Sequence, residues 1–385
     1  MEIDYLIIGG GIAGTTAAET IRSRDLQGSI AIVSGESYRL YSRILLSKPQ
    51  VYEGEFVGEK LFIKTENWYD ENSIQLIVGK RAVAHNPHRK TVTLDDGTEI
   101  EYGRMLLAMG TVPHTFEPEG ATQEDILQLQ TIDDALKLRK VLAARKRVLV
   151  VGRGFISFEA AWIAHSLGAG VHVLNRGAYP FSGTVSKQQG EQLRDAMNAA
   201  DAVTYMENVE IASIQDGPDG REAILHSGST VPFDVIIAGI GVSTASGWLH
   251  RVDRTPDGAA LINAKLETNV PSVWAAGDGS VFREGGIRAG NWARSLQMGR
   301  VAGSNMAGDI DAQDVFSMVS VFTTQGFGQM LAFVGETRHN DGIETQDENV
   351  GEGSVRKFIQ GGKIVGAVVL NSPQDVGALQ QEILN

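Results

Sequence analysis

The chain has 385 residues, of which 42% are hydrophobic and 21% are charged, and its formal net charge is −13. These values are typical of a globular protein of two or three domains, and the negative charge argues against a nucleic-acid-binding protein. Cysteine is absent, which excludes disulfides, thiolate metal ligands and a dithiol redox centre. We find neither a signal peptide nor an apolar run of about 18 residues, so we expect a cytoplasmic protein that binds no membrane.

A glycine-rich motif near the N-terminus directly follows the apolar run Tyr5-Leu6-Ile7-Ile8 and reads Gly9-Gly10-Gly11-Ile12-Ala13-Gly14. We predict a strand at 3–8, a helix at 12–23 and a second strand at 29–34. Glycines at this turn let the backbone approach a pyrophosphate, which then lies at the positive end of the helix. The predicted ligands of a first dinucleotide are Gly9, Gly11, Ile12, Ala13 and Gly14. Glu36 follows the second strand, where an acid bonds the ribose hydroxyls.

A second copy of this motif, Gly152-Arg153-Gly154-Phe155-Ile156-Ser157, follows the apolar run Val148-Leu149-Val150-Val151. We predict a strand at 147–151, a helix at 155–167 and a strand at 171–175. Two such motifs indicate two bound dinucleotides, which suggests that electrons pass from one to the other. The predicted ligands of the second dinucleotide are Gly152, Gly154, Phe155, Ile156, Asn175 and Arg176.

Apolar strands that end in glycine close each predicted unit, at 105–110, 234–239 and 273–279, which indicates a coarse internal duplication. Helices are expected at 131–144, 186–200 and 291–307, and a strand pair near 203–232. The last part of the chain is expected to be a separate module with strands at 318–322, 329–334, 353–359 and 363–370, and a helix at 373–384. We interpret its acidic stretch 344–352 as a solvated loop.

Taken together, these motifs resemble the two-dinucleotide-binding flavoprotein reductases. Within them, the chain is most similar to the FAD-dependent ferredoxin and rubredoxin reductases that lack a redox disulfide. The resemblance runs from residue 1 to 308. It is carried by four segments: Gly9 to Gly14 with Glu36; Tyr41-Ser42-Arg43 through Leu46-Ser47-Lys48; Gly239-Ile240-Gly241-Val242; and Trp274-Ala275-Ala276-Gly277-Asp278.

The resemblance implies that the first motif binds FAD and the second binds NAD(P)H. It assigns Asp278 to the ribityl chain of FAD, although a helix N-cap is the alternative for this residue. Arg43 is expected to contact FAD. Trp292 either packs on the flavin or is a buried core aromatic. The glycines implied to line the cofactors are Gly110, Gly277 and Gly241.

Lys48 and Glu159 are the candidate catalytic residues. In the family the corresponding lysine lies near the flavin and is held by an acid at the position of Glu159. Such a pair would keep the lysine charged and help stabilise a reduced, anionic flavin ring. The alternative is an unrelated surface lysine and an acid on a helix surface.

The second motif departs from the family pattern. Ser157 replaces its last glycine, and Arg153 occupies a position that is usually small. Asn175 stands where an acid would favour NADH, and Arg176 beside it could accept a 2′-phosphate. Three alternatives follow: use of NADPH or of both nucleotides, weakened use of NADH, or a vestigial nicotinamide site.

We therefore expect an α/β fold of two Rossmann-like, three-layer dinucleotide-binding domains with a small C-terminal α+β domain. The expected FAD domain is 1–112 with 245–310, the NAD(P)H domain is 113–244, and the C-terminal domain is 311–385. The predicted enzyme passes electrons from NAD(P)H through FAD to an external acceptor such as a ferredoxin or rubredoxin, as a monomer or homodimer without a bound metal. Alternatives are an NAD(P)H oxidase or quinone reductase, or a flavoprotein that uses another electron donor or acts as a redox sensor.

Overall fold

The computed structural model describes residues 1–52, 59–144, 146–284, 286, 290–309, 313–338 and 342–384. The chain forms two compact units. The first comprises Met1–Ser42, Val57–Val112 and Val242–Met318, and the second comprises Arg43–Phe56, Pro113–Gly241 and Val319–Asn385. The division into three domains expected from the sequence stays a prediction.

The chain contains seven described α-helices and 24 described strands. The N-terminal part contains β1 (Glu2–Ile8), α1 (Ile12–Arg24), β2 (Ile30–Ser34), α2 (Trp68–Glu71), β3 (Ile74–Val78), β4 (Ala82–Asn86), β5 (Thr91–Leu94), β6 (Glu99–Leu107) and β7 (Val112–Pro113). The middle part contains β8 (Ile126–Leu127), α3 (Ile132–Leu142), β9 (Arg147–Val151), α4 (Phe155–Ser166), β10 (Gly170–Asn175), α5 (Lys187–Asn198), β11 (Val203–Glu207), β12 (Ile211–Gly217), β13 (Gly220–Leu225), β14 (Thr230–Phe233) and β15 (Val235–Ala238). The C-terminal part contains β16 (Val242–Ser243), β17 (Ala260–Ile262), β18 (Val273–Ala275), β19 (Ser280–Phe282), α6 (Trp292–Ala307), β20 (Val321–Gly326), β21 (Gln329–Gly335), β22 (Ile343–Val350), β23 (Gly353–Gln360), β24 (Lys363–Leu370) and α7 (Pro373–Leu384). Short 3-10 helices lie at Arg43–Ser47, Pro49–Val51 and Glu59–Leu61.

The first unit is built on a sheet with the strand order β3-β2-β1-β6-β5-β4, and β18 also pairs with β6. The pairs that join β3, β2, β1, β6 and β18 are parallel. The apolar residues of β1, β2 and β18 are buried, as expected for strands covered on both faces. Because parallel strands end at the same edge, the segments that follow β2, β1, β6 and β18 meet along one side of the sheet.

Helices α1 and α6 of this unit pack closely through small residues. A Cβ atom built on Gly299 would lie 2.4 Å from the carbonyl oxygen of Ala13, and one on Gly303 would lie 2.6 Å from that of Ala17. Only glycine permits this approach of the two helices. The contact fixes α6, which follows the β18 turn, against the helix of the first glycine motif.

The second unit contains a parallel sheet with the order β11-β10-β9-β15-β8 and an antiparallel sheet of β12, β13 and β14. Helix α5 begins with a capping box, in which the Ser186 hydroxyl accepts from the Gln189 backbone and the Gln189 side chain accepts from the Ser186 backbone. The Gln189 amide nitrogen also donates to the carbonyls of Ser354 and Val368, both at 3.3 Å. These bonds join the C-terminal module to α5 within this unit.

The C-terminal module is a sheet with the order β20-β21-β24-β23-β22, followed by α7. Two predictions for this part were wrong. The acidic stretch 344–352 is not a loop, because β22 spans Ile343–Val350, and the strand expected at 318–322 begins at Val321. Strand β22 lies at the edge of the sheet, and most of its side chains are at least partly exposed, which explains its polar sequence.

The parallel sheets and their flanking helices confirm the predicted α/β fold with Rossmann-like units. Strand β1 and helices α1, α4 and α6 begin and end within a few residues of the predicted bounds. Among the described helices, none combines the length and the apolar character needed to cross a membrane.

Candidate dinucleotide-binding sites

The first glycine motif forms a tight turn between β1 and α1. Gly9 has φ of +119°, and a Cβ atom there would lie 2.1 Å from the carbonyl oxygen of Ala108. A Cβ on Gly14 would lie 2.0 Å from the carbonyl oxygen of Gly9. Within the described part of the chain, by contrast, no heavy atom other than those of its chain neighbours approaches within 4 Å of the Cβ position of Gly11. The turn is thus closed on the protein side and open beside Gly11, where a phosphate would approach.

Helix α1 begins at this opening, and Gly11 is its N-cap residue. No side chain of the described residues caps the helix, so its first backbone N–H groups keep their capacity to bind an anion. Tight glycine packing, open space and an uncapped helix terminus together fit the pyrophosphate of a dinucleotide such as FAD.

Two acids follow strands that end at the same edge of this sheet. Glu36 follows β2, and its Oε2 atom accepts a hydrogen bond from the Tyr41 hydroxyl at 2.5 Å. Asp278 follows β18, and its Oδ1 atom accepts from the Ser295 hydroxyl at 2.9 Å. Both carboxylates are oriented by hydroxyl groups of their own unit, as expected for side chains that hold a polar ligand in place.

Asp278 does not cap the helix that follows it, so that alternative was wrong. The N-cap of α6 is Asn291, whose side chain accepts from the Arg294 backbone nitrogen at 2.9 Å. Trp292 is the first residue of α6 and is partly exposed, so it is not a fully buried core residue. Gly277 and Gly110 have φ of +81° and +66°, which lets the backbone turn sharply at the ends of β18 and β6.

The second glycine motif repeats this geometry between β9 and α4. Gly152 has φ of +135°, and a Cβ atom there would lie 2.3 Å from the carbonyl oxygen of Gly239. Apart from its two chain neighbours, no residue that the structure describes has a heavy atom within 4 Å of the Cβ position of Gly154. Gly154 is the N-cap of α4, and no described side chain caps that helix. The second motif therefore retains the features that suit a pyrophosphate.

Ser157 fits where the motif usually ends in glycine. Its side chain is buried, and its hydroxyl donates to the carbonyl oxygen of Gly239 at 3.2 Å. A Cβ atom on Gly239 would lie 2.5 Å from the serine oxygen, and one on Gly152 would lie 2.3 Å from it. The hydroxyl thus occupies the space left by the missing side chains of Gly152 and Gly239, and it donates to the Gly239 carbonyl.

Arg153 is exposed and its side chain is directed at the loop after β10. Its Nη1 atom donates to the Ser182 hydroxyl at 3.2 Å, and its backbone oxygen accepts from the Phe181 nitrogen at 2.7 Å.

Asn175 ends β10 and is 1% exposed. Its amide nitrogen donates to the carbonyl of Tyr179 at 2.9 Å and to the hydroxyl of Tyr205, and its Oδ1 atom accepts from the Gly177 nitrogen at 2.8 Å. All three hydrogen bonds lie within the unit. They fix the backbone that follows β10.

Arg176 is largely exposed, and its Nη1 atom lies 3.3 Å from Oε1 of Glu210. Gly241 has φ of +111°, and its carbonyl oxygen accepts from the His114 nitrogen at 3.0 Å. These two residues follow β10 and β15, at the same edge of the sheet as the second glycine motif. Ile156, on the first turn of α4, is 37% exposed.

Lys48 and Glu159 form an ion pair in the second unit. The lysine Nζ atom lies 2.7 Å from the glutamate Oε1 atom, and their side chains are 27% and 10% exposed. Thr324, on β20, donates from its hydroxyl to the same Oε1 atom at 2.8 Å. Arg43, in the same loop as Lys48, donates to the carbonyl of Gln130 at 2.7 Å.

The sequence did not indicate the role of Thr324 or the aromatic cluster formed by Phe155. The ring of Phe155 lies 5.0 Å from the rings of Phe181 and Phe322, and 4.8 Å from that of Phe333. The cluster joins α4, the loop after β10 and the first two strands of the C-terminal module. A Phe-Thr-Thr run on a strand is too common in proteins to identify either feature.

Comparison with known proteins decides the family. The model of the pyridine nucleotide-disulphide oxidoreductase family matches residues 3–299. The chain belongs to this family. Because it has no cysteine, the redox disulfide of the family's name is missing from this chain, and electron transfer depends on bound cofactors. The family implies FAD and NAD(H) as those cofactors.

Two curated relatives are reductases of small electron carriers. The ferredoxin–NAD(+) reductase component of the 3-phenylpropionate/cinnamic acid dioxygenase of Photorhabdus laumondii is 28% identical, over 99% of this chain and 96% of the relative. The rubredoxin–NAD(+) reductase of Pseudomonas putida is 28% identical over 72% of each chain. Among solved structures, putidaredoxin reductase in its covalent complex with putidaredoxin has a TM-score of 0.87 and 23% identity, over 99% of this chain and 93% of that one.

Proposed function

We propose that this protein is an FAD-dependent NAD(P)H oxidoreductase that passes electrons to a small electron-carrier protein. The observation that supports this most is the presence of two glycine-lined, uncapped helix N-termini. Each lies at the carboxyl edge of a separate parallel sheet, between β1 and α1 and between β9 and α4. Ligands of open α/β sheets bind at this edge.

The residues of the first unit would hold FAD. The α1 N-terminus would bind the pyrophosphate, Glu36 the adenosine ribose, and Asp278 the ribityl chain, with Gly110, Gly277 and Trp292 beside them. When bound, FAD accepts two electrons from a nicotinamide and can pass them on singly. The protein supplies the orientation and the electrostatic environment of the cofactor.

The residues of the second unit would hold the nicotinamide nucleotide. The α4 N-terminus would bind its pyrophosphate, and Arg153 would add a positive charge at the rim of that site. The lack of an acid after β10, with Arg176 in the next position, supports the use of NADPH as well as NADH.

We also propose that Lys48 acts at the flavin, as in the family that the chain resembles. Glu159 holds the lysine Nζ atom at 2.7 Å, and Thr324 holds the glutamate. A carboxylate with two donors on one oxygen has a fixed orientation, so the position of the lysine cation is also restricted. A fixed cation favours the anionic, reduced form of a neighbouring ring.

Both curated relatives are named as reductases of ferredoxin or rubredoxin, which supports a small carrier as the electron acceptor. Such carriers are usually acidic, so an arginine surface of this chain would bind one. The candidates on the first unit are Arg283, Arg294 and Arg300, and a fourth, Arg288, lies outside the described residues. Cytoplasmic location and a monomeric or dimeric state stay predictions.

An anaerobic titration of the purified protein with NADH and, separately, NADPH tests this function. Loss of the oxidised-flavin absorbance with either nucleotide supports a reductase. If dithionite bleaches the flavin and neither nucleotide does, the proposal is overturned in favour of a flavoprotein with a vestigial nicotinamide site. Rapid reoxidation in air without a carrier would instead support an oxidase.

A further inference from the structure

The end of β10 is the place where dinucleotide-binding sheets distinguish the two nicotinamide nucleotides, since the residues there face the 2′ position of the adenosine ribose. In this chain Asn175 holds that place, but its amide is turned into the protein. The nitrogen donates to Tyr179 and Tyr205, and the oxygen accepts from Gly177. Asn175 therefore holds the loop that follows β10, and the next side chain is the one available to recognise the 2′ position.

That next side chain is Arg176, which already has an anionic partner. Its Nη1 atom lies 3.3 Å from Oε1 of Glu210, and the two side chains are 71% and 52% exposed. An ion pair this exposed is weak and is screened by salt. A 2′-phosphate carries more charge than a carboxylate and matches the planar guanidinium, so it can displace the glutamate from Arg176.

The backbone holds Glu210 in this position. The segment between β11 and β12 is bonded directly to the end of β10, because the Asn208 nitrogen donates to the Gly177 carbonyl at 3.1 Å and the Val209 nitrogen donates to the Asn175 carbonyl at 3.0 Å. The Glu210 carbonyl also accepts from the His226 nitrogen at 3.1 Å. Glu210 is thus attached to the same rigid framework as Arg176.

We propose that Glu210 determines nucleotide specificity by competing with the 2′-phosphate of NADPH for Arg176. The inference rests on the proposed function, since it concerns the nucleotide of that reaction. The carboxylate reduces the affinity for NADPH, because the phosphate must displace it from Arg176. NADH has no 2′-phosphate and is not affected. The chain is then able to use both nucleotides, and loss of the Glu210 charge shifts its preference toward NADPH.

Equilibrium binding of 2′,5′-ADP and of 5′-AMP to the flavin-containing protein at low salt tests this proposal. The two probes differ by the 2′-phosphate alone, and neither transfers electrons. We expect Glu210→Gln to bind 2′,5′-ADP about three- to tenfold more tightly, while its affinity for 5′-AMP stays within about twofold. The gain should shrink at high salt.

Two further variants make the test specific. Glu207→Gln removes an equal charge at the end of β11, where Glu207 lies 3.2 Å from Arg194, and should leave both affinities unchanged. Arg176→Gln should weaken 2′,5′-ADP alone, and adding Glu210→Gln to it should give no gain, because the two residues act as a pair.

An unchanged affinity of Glu210→Gln for 2′,5′-ADP, an equal gain in Glu207→Gln, or a gain that persists without Arg176 would each overturn the competition. In those cases the reductase function stands if 5′-AMP binds and NADH bleaches the flavin. If the unmodified protein binds neither probe, the second nucleotide site itself is absent and both proposals fail.

Discussion

The Nζ atom of Lys48 lies 2.7 Å from the Oε1 atom of Glu159, although the two residues are 111 positions apart in the chain. The carboxylate is 10% exposed, so the lysine supplies much of the charge that permits its burial. The C-terminal module contributes to the pair through Thr324. This arrangement links three segments of the second unit at one carboxylate.

Removal of the Lys48 charge should impair the redox chemistry of the bound flavin. We expect Lys48→Met to lower the flavin midpoint potential and to slow reduction by the nicotinamide on the order of tenfold, since a preorganised charge is lost. Stopped-flow reduction and a redox titration measure these effects. Lys80→Met removes a more exposed partner of Asp96 and serves as the control. Unchanged potential and rate in Lys48→Met would contradict a role for this lysine at the flavin.

The Thr324 hydroxyl can be tested with an almost isosteric substitution. Thr324→Val removes a hydrogen bond to a charged acceptor, which contributes about 1.5–3 kcal/mol to stability. We expect a lower Tm together with slower flavin reduction. Thr323→Val, at the adjacent exposed position, should change neither. If the Thr324 variant loses stability but keeps its flavin potential and reduction rate, Thr324 is structural and does not position the pair.

Restoring the usual glycine of the second motif should harm this chain. Ser157→Gly removes a buried hydroxyl that donates to Gly239, and it introduces glycine into a helix, which costs about 1 kcal/mol. We expect the free energy of unfolding to fall by about 1–2 kcal/mol in denaturant titrations. Ser157→Ala should lie between the two proteins. A more stable glycine variant would show that the serine strains the turn.

Acid should destabilise the first unit through His85. This residue is 6% exposed and bonds the Tyr102 hydroxyl at 2.8 Å, and burial lowers its pKa from 6.5 to about 4. Since the folded-state pKa lies below the unfolded-state value, the stabilisation is fully present above pH 6.5 and is lost as the pH falls to 4. The full difference is about 3 kcal/mol.

His85→Gln should therefore flatten the decline of the unfolding free energy between pH 6.5 and 4, as followed by chemical denaturation. His88→Gln alters an exposed histidine nearby and should leave the slope as it is. If the unfolding free energy declines equally with falling pH in both variants, His85 is not the cause of the acid sensitivity.

The sequence predicted those features of the fold and of the site that depend on a few residues adjacent in the chain. The turns at Gly9 and Gly152 require glycine for steric reasons, so the motif alone identified both of them. It did not predict Thr324, which meets Glu159 from 165 positions away. Nor did it show that the Asn175 side chain points into the protein. The Asn175 amide donates to the hydroxyl of Tyr205, which lies on the neighbouring strand β11 and is 30 positions away in the chain. Strand β22 was missed because one edge of it is unpaired and its side chains are largely polar.

The most direct measurement compares two variants that place the same acid at the two open glycines. Asp is a favoured N-cap residue, and at neither position does a described atom beyond the chain neighbours lie within 4 Å of the Cβ, so both Gly11→Asp and Gly154→Asp should fold. Each new carboxylate repels a pyrophosphate at that helix N-terminus. Flavin content and anaerobic bleaching by NADH and NADPH are then recorded for both proteins.

The two-site account predicts that Gly11→Asp is purified without flavin. It predicts that Gly154→Asp keeps its flavin, is reduced by dithionite and is no longer bleached by either nucleotide. Normal bleaching of Gly154→Asp, or full flavin content in Gly11→Asp, would contradict the assignment of the two glycine motifs to FAD and to the nicotinamide nucleotide.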